Sequence, residues 1–140
     1  MKSSSTLLQQ AYFTALSGQV NVNGVIPVYD TVPSSPSYPY IQLDDQTKTD
    51  YVTKSSFGEE VTQQLWIVNR FSDSFGSRIN LNAILDRVQQ IIRARPIPLT
   101  LTGFNVISST LDIAVFSRDR TDTHTYFRYE VRFRHLIEEL

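Results

Sequence analysis

The end of the chain carries the pattern that most limits its fold. Residues 126–134 read YFRYEVRFR, in which hydrophobic or aromatic side chains alternate with mostly charged ones without a break. Successive side chains of a strand point to opposite faces, so this segment is predicted to be a strand with one packed face and one charged face. The packed face holds Phe127, Tyr129, Val131 and Phe133. The charged face holds Tyr126, Arg128, Glu130, Arg132 and Arg134. Such a strand needs a sheet beside it and a second layer over its apolar face.

Two further strand candidates supply neighbours for that sheet. Residues 105–117 and 123–135 flank the polar stretch 118–122 (RDRTD), and this arrangement predicts a hairpin. Residues 59–69 (EEVTQQLWIVN) become apolar on both faces towards their end. A strand of that kind is typical of the centre of a sheet that is covered on both sides.

The first half of the chain has weaker strands and two segments without periodicity. Residues 25–30 contain Pro27, which cannot donate to a ladder, so they suit an edge strand; residues 41–45 form another strand. Between them, residues 31–40 (TVPSSPSYPY) hold three of the six prolines and predict an extended connection. Residues 46–58 (QTKTDYVTKSSFG) are predicted to be a long projecting loop or hairpin, which in a compact domain is usually functional.

Two segments have helical spacing. Residues 7–16 are amphipathic and are followed by Gly18, and three serines before them offer N-cap oxygens: Ser3, Ser4 and Ser5. Residues 78–94 form the stronger candidate, with Ser74 or Ser77 as the cap. Its apolar stripe consists of Ile79, Ala83, Ile84, Val88, Ile91 and Ile92. The order of elements predicts an α+β fold with a mainly antiparallel sheet and two helices packed on one side, in one domain over residues 1–140.

Composition excludes several classes of protein. The formal net charge of the 140 residues is -1, so the whole molecule is not attracted to nucleic acid or to an acidic membrane. There is no cysteine, which excludes disulfides, thiolate metal sites and cysteine nucleophiles. No segment resembles a signal peptide or a membrane span. The expectation is a soluble protein made in a cytoplasm, with no membrane partner.

A search for chemistry finds no constellation. The five glycines are scattered, and no phosphate-binding loop or serine-hydrolase elbow is present. His124 and His135 have opposite parity on one strand, so they are expected to be two separate surface histidines. Asp44, Asp45 and Asp50 lack the ligand spacing of a calcium loop. The sequence therefore predicts no catalytic, cofactor-binding or metal-binding residues and no cofactor, and an enzyme is the weakest alternative.

Three arginines form the one charge pattern with a definite shape. Arg128, Arg132 and Arg134 share the charged face of the last strand. They could meet phosphates or an acidic partner. The favoured reading is a solvated face that keeps the strand from aggregating, because Tyr126 is the one aromatic ring beside them for stacking bases.

The order of these segments resembles the tail-completion, or tail-terminator, proteins of long-tailed bacteriophages and gene-transfer particles. After the short helix come VIPVYD at residues 25–30 and PYIQLDD at residues 39–45. A Thr- and Lys-containing stretch, 46–54, precedes GEEVTQQLWIVN at residues 58–69. The long helix and the two closing strands, ending in YFRYEVRFR, complete a pattern that covers nearly the whole chain.

The resemblance implies a structural virion protein. Its subunits would form a ring, expected to be a hexamer, at the head-proximal end of the tail tube; the ring would stop tube polymerisation and join the tail to the head connector. The implied partners are further copies of the chain, the tail-tube protein, a head-completion protein, and DNA that passes through the lumen without sequence-specific binding. The candidate interface residues are Lys48, Asp50, Tyr51, Lys54, Phe57, Arg128, Arg132 and Arg134. Alternatives are another head–tail adaptor and a nucleic-acid-binding module.

Overall fold

The computed structural model describes residues 3–52, 57–71 and 77–140. Within them the element order is α1 (Ser5–Leu16), β1 (Val28–Tyr29), β2 (Tyr40–Val52), β3 (Phe57–Phe71), α2 (Ile79–Ile92), β4 (Phe104–Arg120) and β5 (Thr125–Glu139). The strands form one sheet in the order β1-β2-β3-β5-β4. The β1–β2 pair is parallel and the other three pairs are antiparallel. The predicted α+β class, with a mainly antiparallel sheet, is therefore confirmed.

Both helices contact the same face of the sheet, here called the helix face. On β5, Tyr129 and His135 share one parity; Tyr129 donates a hydrogen bond to Asn82 of α2, and His135 bonds Tyr12 of α1. The core between the layers includes fully buried side chains from both helices and from the strands: Leu8, Leu16, Ile84, Val88, Leu65, Ile67, Val131 and Phe133. The opposite face, here called the open face, carries the charged parity of β5, as the sequence predicted. Neither helix in the described residues is long and apolar enough to cross a membrane.

The beginning of α1 differs from the predicted serine cap. Ser4 stands at the N-cap position, but its side chain makes no capping bond. Instead the Ser4 hydroxyl donates to Glu59 Oε1 at 3.0 Å, and the Ser4 amide points at the same oxygen. The carboxylate of β3 thus binds the start of the helix, a long-range contact that no local pattern in the sequence indicates. The helix ends at Leu16, and Gly18 takes the left-handed conformation that favours glycine.

Helix α2 begins one residue after its predicted start. Ser77 accepts a hydrogen bond from the amide of Ile79, while Ser74 lies outside the described residues. Ile84, Val88 and Ile92 are fully buried, as the predicted stripe required. Ile79 was wrongly included in that stripe, because it opens the first turn and is 75% exposed.

The predicted loop at residues 46–58 is largely strand. Strand β2 continues to Val52, β3 begins at Phe57, and the two pair up to the level of Val52 and Phe57. The hairpin alternative is therefore correct for the described part, and residues 53–56 lie outside it. A shift in register between Leu43 and Gln46 moves the alternation of β2 by one residue. That bulge explains why the sequence shows no continuous period here.

The other strand boundaries also moved. Strand β1 lies at the sheet edge, as predicted, but covers two residues only. At the far side, the predicted turn at residues 118–122 is displaced, because Arg118 and Arg120 still pair with β5. The chain reverses instead around Thr121 and His124, which hydrogen-bond to each other.

Candidate functional site

The hairpin end of the sheet holds four of the candidate interface residues within the described chain. Asp50, Tyr51 and Phe57 are exposed there, Tyr51 by 46% and Phe57 by 59%. Tyr51 lies on the open face, whereas Asp50 and Phe57 lie on the helix face. Lys54 lies outside the described residues. This end is not a free arm, because Gly58 pairs with Glu138 of β5 and the sheet continues across it.

Lys48 differs from its neighbours because it is bound within the chain. Its ammonium group lies 3.4 Å from Glu59 Oε2 and contacts the hydroxyl of Ser3. Next to it, Gln46 donates to the carbonyl of Ser5 at 3.1 Å. These contacts tie the β2 strand to the start of α1, so the first role of Lys48 is intramolecular.

The three arginines of β5 lie on the open face, and each has a carboxylate partner. Arg134 binds Asp112 at 2.9 Å and Glu60 at 3.1 Å. Arg132 lies 3.7 Å from Asp112 and 3.8 Å from Glu130, and Arg128 lies 3.3 Å from Asp119. The pairs are partly exposed, so each contributes about 1 kcal/mol or less to stability. Their main effect is to neutralise the face.

Asp112 is the acidic residue that the sequence pattern did not reveal. It lies where the register of β4 against β5 shifts between Leu111 and Ile113. This bulge turns its carboxylate towards both Arg132 and Arg134. In the sequence, the one trace of this bulge is an acidic residue that interrupts the alternation of an edge strand.

Aromatic rings cover the other end of the open face. Tyr38 of the proline-rich connection lies 5.3 Å from Tyr40 and 6.3 Å from Tyr126 between ring centroids. The guanidinium of Arg70 stacks on Tyr38 at 4.4 Å. The expectation that Tyr126 is the one aromatic residue on this face is therefore wrong. Tyr40 and Val68 are buried on this face, which confirms that β3 is covered on both sides near its end.

The candidate residues do not form one continuous patch. Arg128 is level with Val68 of β3, whereas Tyr51 is level with Gly58. Ten residues of strand separate these levels, which is roughly 33 Å. The hairpin end and the aromatic end are thus two separate surfaces, with the paired arginines Arg132 and Arg134 between them.

His135 contradicts the prediction of a surface histidine. It is fully buried, with Ser109 Oγ 2.8 Å from Nδ1 and the hydroxyl of Tyr12 on Nε2. Burial lowers the pKa of His135 from 6.5 to about 4, and burial raises the pKa of Tyr12 well above its ordinary value. A serine beside a histidine can act as a nucleophile, but both are enclosed in the core and Tyr12 occupies the second ring nitrogen. The arrangement is a neutral hydrogen-bonded network in the core.

No group of three potential metal ligands occurs in the residues that the structure describes. Asp44 and Asp45 lie at the β2 bulge and are exposed, and Asp44 accepts a hydrogen bond from the indole of Trp66 at 2.6 Å. His124 lies at the β4–β5 turn and contacts Thr123.

Comparisons with known proteins agree with this picture. The family model of tail completion protein gp17 matches residues 7–138. Tail completion protein gp17 of Bacillus phage SPP1 is 29% identical over 96 residues, which are 69% of this chain and 66% of that relative. A chain in the virion of a native gene transfer agent particle has the same fold, with a TM-score of 0.76, 18% identity and 99% of both chains covered. Because the family model spans nearly the whole sequence, the chain belongs to the tail completion protein gp17 family, and it is a structural component of a virion tail.

Proposed function

We propose that the protein forms a ring, with six copies, at the head-proximal end of the tail tube. The ring ends polymerisation of the tube and joins the tail to the head connector, and residues 1–140 act in it as one domain. The observation that carries this proposal is the family match over residues 7–138. The fold shared along 99% of the chain with a virion protein supports it.

The two exposed ends of the sheet suit such a position. Tyr51 and Phe57 expose apolar area at the hairpin end, and exposed aromatic residues are frequent anchors of protein interfaces. We assign this end to the tail-tube protein. Lys54 adjoins it in sequence, and Asp50 supplies a charge at its rim. The aromatic end with Arg128 is then left for the partner on the head side.

The paired arginines suit a channel through which DNA must move. A face with free arginines would bind phosphates and release counterions, which slows passage. Arg132 and Arg134 share Asp112, so the middle of the open face carries little uncompensated positive charge. We propose that this face can lie towards the lumen without retaining DNA and without reading its sequence.

The test is growth of tubes from the tail-tube protein of the same genome. Purified tube protein is allowed to polymerise with and without this protein, and tube lengths are measured by electron microscopy. The proposal expects short tubes whose mean length falls as the ring protein is added earlier. Unchanged lengths, together with binding to a head protein in a pull-down, would contradict it and favour an adaptor on the capsid side.

A further inference from the structure

Both edges of the sheet are open over long stretches. Strand β4 forms one edge, and within the described residues its outer side meets only the bridge between Leu101 and Phe104. At the other edge, β1 pairs with Ile41 and Gln42 alone. The rest of β2, down to Val52, has no strand on its outer side in the described chain. Unpaired backbone groups along an edge are a template for another strand.

Each free edge is regular on the far side of its last bulge. Strand β4 changes register between Val106 and Ser108 and between Leu111 and Ile113, so residues 113–120 form its uninterrupted part. Strand β2 is uninterrupted over residues 46–52. The bulges restrict pairing to these stretches, which are of similar length. On the β4 segment, Ile113 and Val115 are 42% and 44% exposed.

Strand direction makes one edge complementary to the other. Neighbours from β2 to β4 are all antiparallel, and three antiparallel steps separate the two strands. Strands β2 and β4 therefore run in opposite directions, so placing β4 of one copy beside β2 of the next continues the same alternation. This contact joins two different surfaces, and contacts of that type close into rings when the rotation allows.

Charge favours the same partner. The free part of β2 begins beside Asp44 and Asp45, and the free part of β4 ends with Arg118 and Arg120. In an antiparallel join, the start of one strand lies towards the end of the other, so the acidic start of the β2 segment lies near the basic end of the β4 segment, with Asp44 on the open face and Arg118 and Arg120 on the helix face. Arg118 and Arg120 have no carboxylate partner among the described residues.

We propose that β4 of each copy pairs antiparallel with β2 of the next copy, through residues 113–120 and 46–52, so that one continuous sheet runs around the ring. The inference rests on the proposed ring, because the edges need further copies of the chain. It adds the surfaces that hold the ring together and the direction in which the copies follow each other. The exact register follows from the strand tilt that closure requires.

Disulfide cross-linking can test this pairing because the chain contains no cysteine. Within one copy β3 and β5 separate β2 from β4, so the edges lie about 14 Å apart, beyond the roughly 7 Å that a disulfide spans. Thr49, Ile113, Val115 and Ser117 all point to the open face. Three double variants combine Thr49→Cys with Ile113→Cys, Val115→Cys or Ser117→Cys. Each double variant is oxidised after it has been mixed with growing tubes, so that the cysteines can link copies within an assembled ring.

The expected result is a ladder of linked multimers that stops at the ring size for at least one variant. Single-cysteine variants are the control and should give no ladder. A dimer from Ile113→Cys alone would overturn the proposal, because it indicates that two β4 edges face each other. Rings that end tubes but never cross-link would overturn the pairing and leave the proposed function standing. Failure of the unmodified protein to form rings or end tubes would overturn both.

Hydrogen–deuterium exchange on the unmodified protein covers the case in which a cysteine variant does not fold. Assembly should slow amide exchange in residues 46–52 and 113–120 by about tenfold or more, because outer amides become paired. Residues on the exposed side of α2 serve as the internal reference. Unchanged exchange in both edge segments of assembled rings would contradict the pairing.

Discussion

At the scale of single residues, His135 shows how a polar group is held inside the core. Ser109 and Tyr12 satisfy its two ring nitrogens, and its neutral form is favoured because burial penalises the charged form. In the unfolded chain the ring has an ordinary pKa and binds a proton first as the pH falls. The free energy of unfolding therefore decreases as the pH drops from about 6.5 towards about 4.

This linkage predicts a specific effect of removing the histidine. Over that interval His135 should lower the free energy of unfolding by roughly 3 kcal/mol, and His135→Gln should lose this part of the pH dependence. Urea unfolding at pH 7 and at pH 4.5 measures it. His124→Gln, at the half-exposed turn, should keep the slope of the unmodified protein. Equal slopes in all three proteins would mean that His135 is protonated in the folded state.

Asp112 provides a second test, on the charge of the open face. Asp112→Asn should remove the shared partner of Arg132 and Arg134 while costing about 1 kcal/mol or less of stability. The variant should bind duplex DNA more tightly at low salt, with a salt dependence steeper by up to about two phosphate contacts. Fluorescence anisotropy at salt concentrations from about 50 to about 200 mM, over which phosphate contacts weaken, measures the DNA affinity and its salt dependence. The matched control is Asp122→Asn, in the β4–β5 turn and away from Arg132 and Arg134, and identical binding by both variants would contradict the neutralising role.

At the scale of elements, Gly58 explains why the hairpin end stays within the sheet. A Cβ atom at this position would lie 2.7 Å from the carbonyl oxygen of Ile137 and 3.1 Å from that of Tyr51. Glycine thus allows β2 and β5 to approach β3 closely from both sides. In the sequence this residue only marks the end of a polar stretch.

Gly58→Val is therefore expected to destabilise the protein by about 1–3 kcal/mol, because backbone on both sides must move. Thr49→Ala, on the exposed face of the same hairpin, should change stability by less than about 0.5 kcal/mol. Urea unfolding of the two variants measures the difference. A Gly58→Val protein as stable as the unmodified one would show that the strands are not held this closely.

The elements also show what a sequence can and cannot reveal. Strand β5 was predicted because its apolar residues repeat every two positions without a break, and helix α2 because its apolar residues repeat about every 3.6 positions. The extension of β2 was missed because its bulge shifts the period and its residues are polar on both faces. The burial of His135 was missed because its partners, Tyr12 and Ser109, are far away in the chain. Local patterns predict elements, but long-range contacts decide sites.

At the scale of the whole molecule, the hairpin end is the surface assigned to the tube. The double variant Tyr51→Ser, Phe57→Ser should fold normally, since both side chains are exposed, and should lose about tenfold or more in its ability to end tubes. Ile79→Ser is the matched control, because this apolar residue is even more exposed but lies on α2. Tube length at a series of protein concentrations measures the loss. Equal activity of all three proteins would move the tube contact elsewhere.

The central claim is that copies of this chain form a ring at one end of the tube. Electron cryomicroscopy of tubes grown with the protein, averaged around each tube end, tests it most directly. The account predicts one closed ring of six copies at one end and none at the other or along the wall. Density spread along the tube, or single copies without a closed ring, would contradict it.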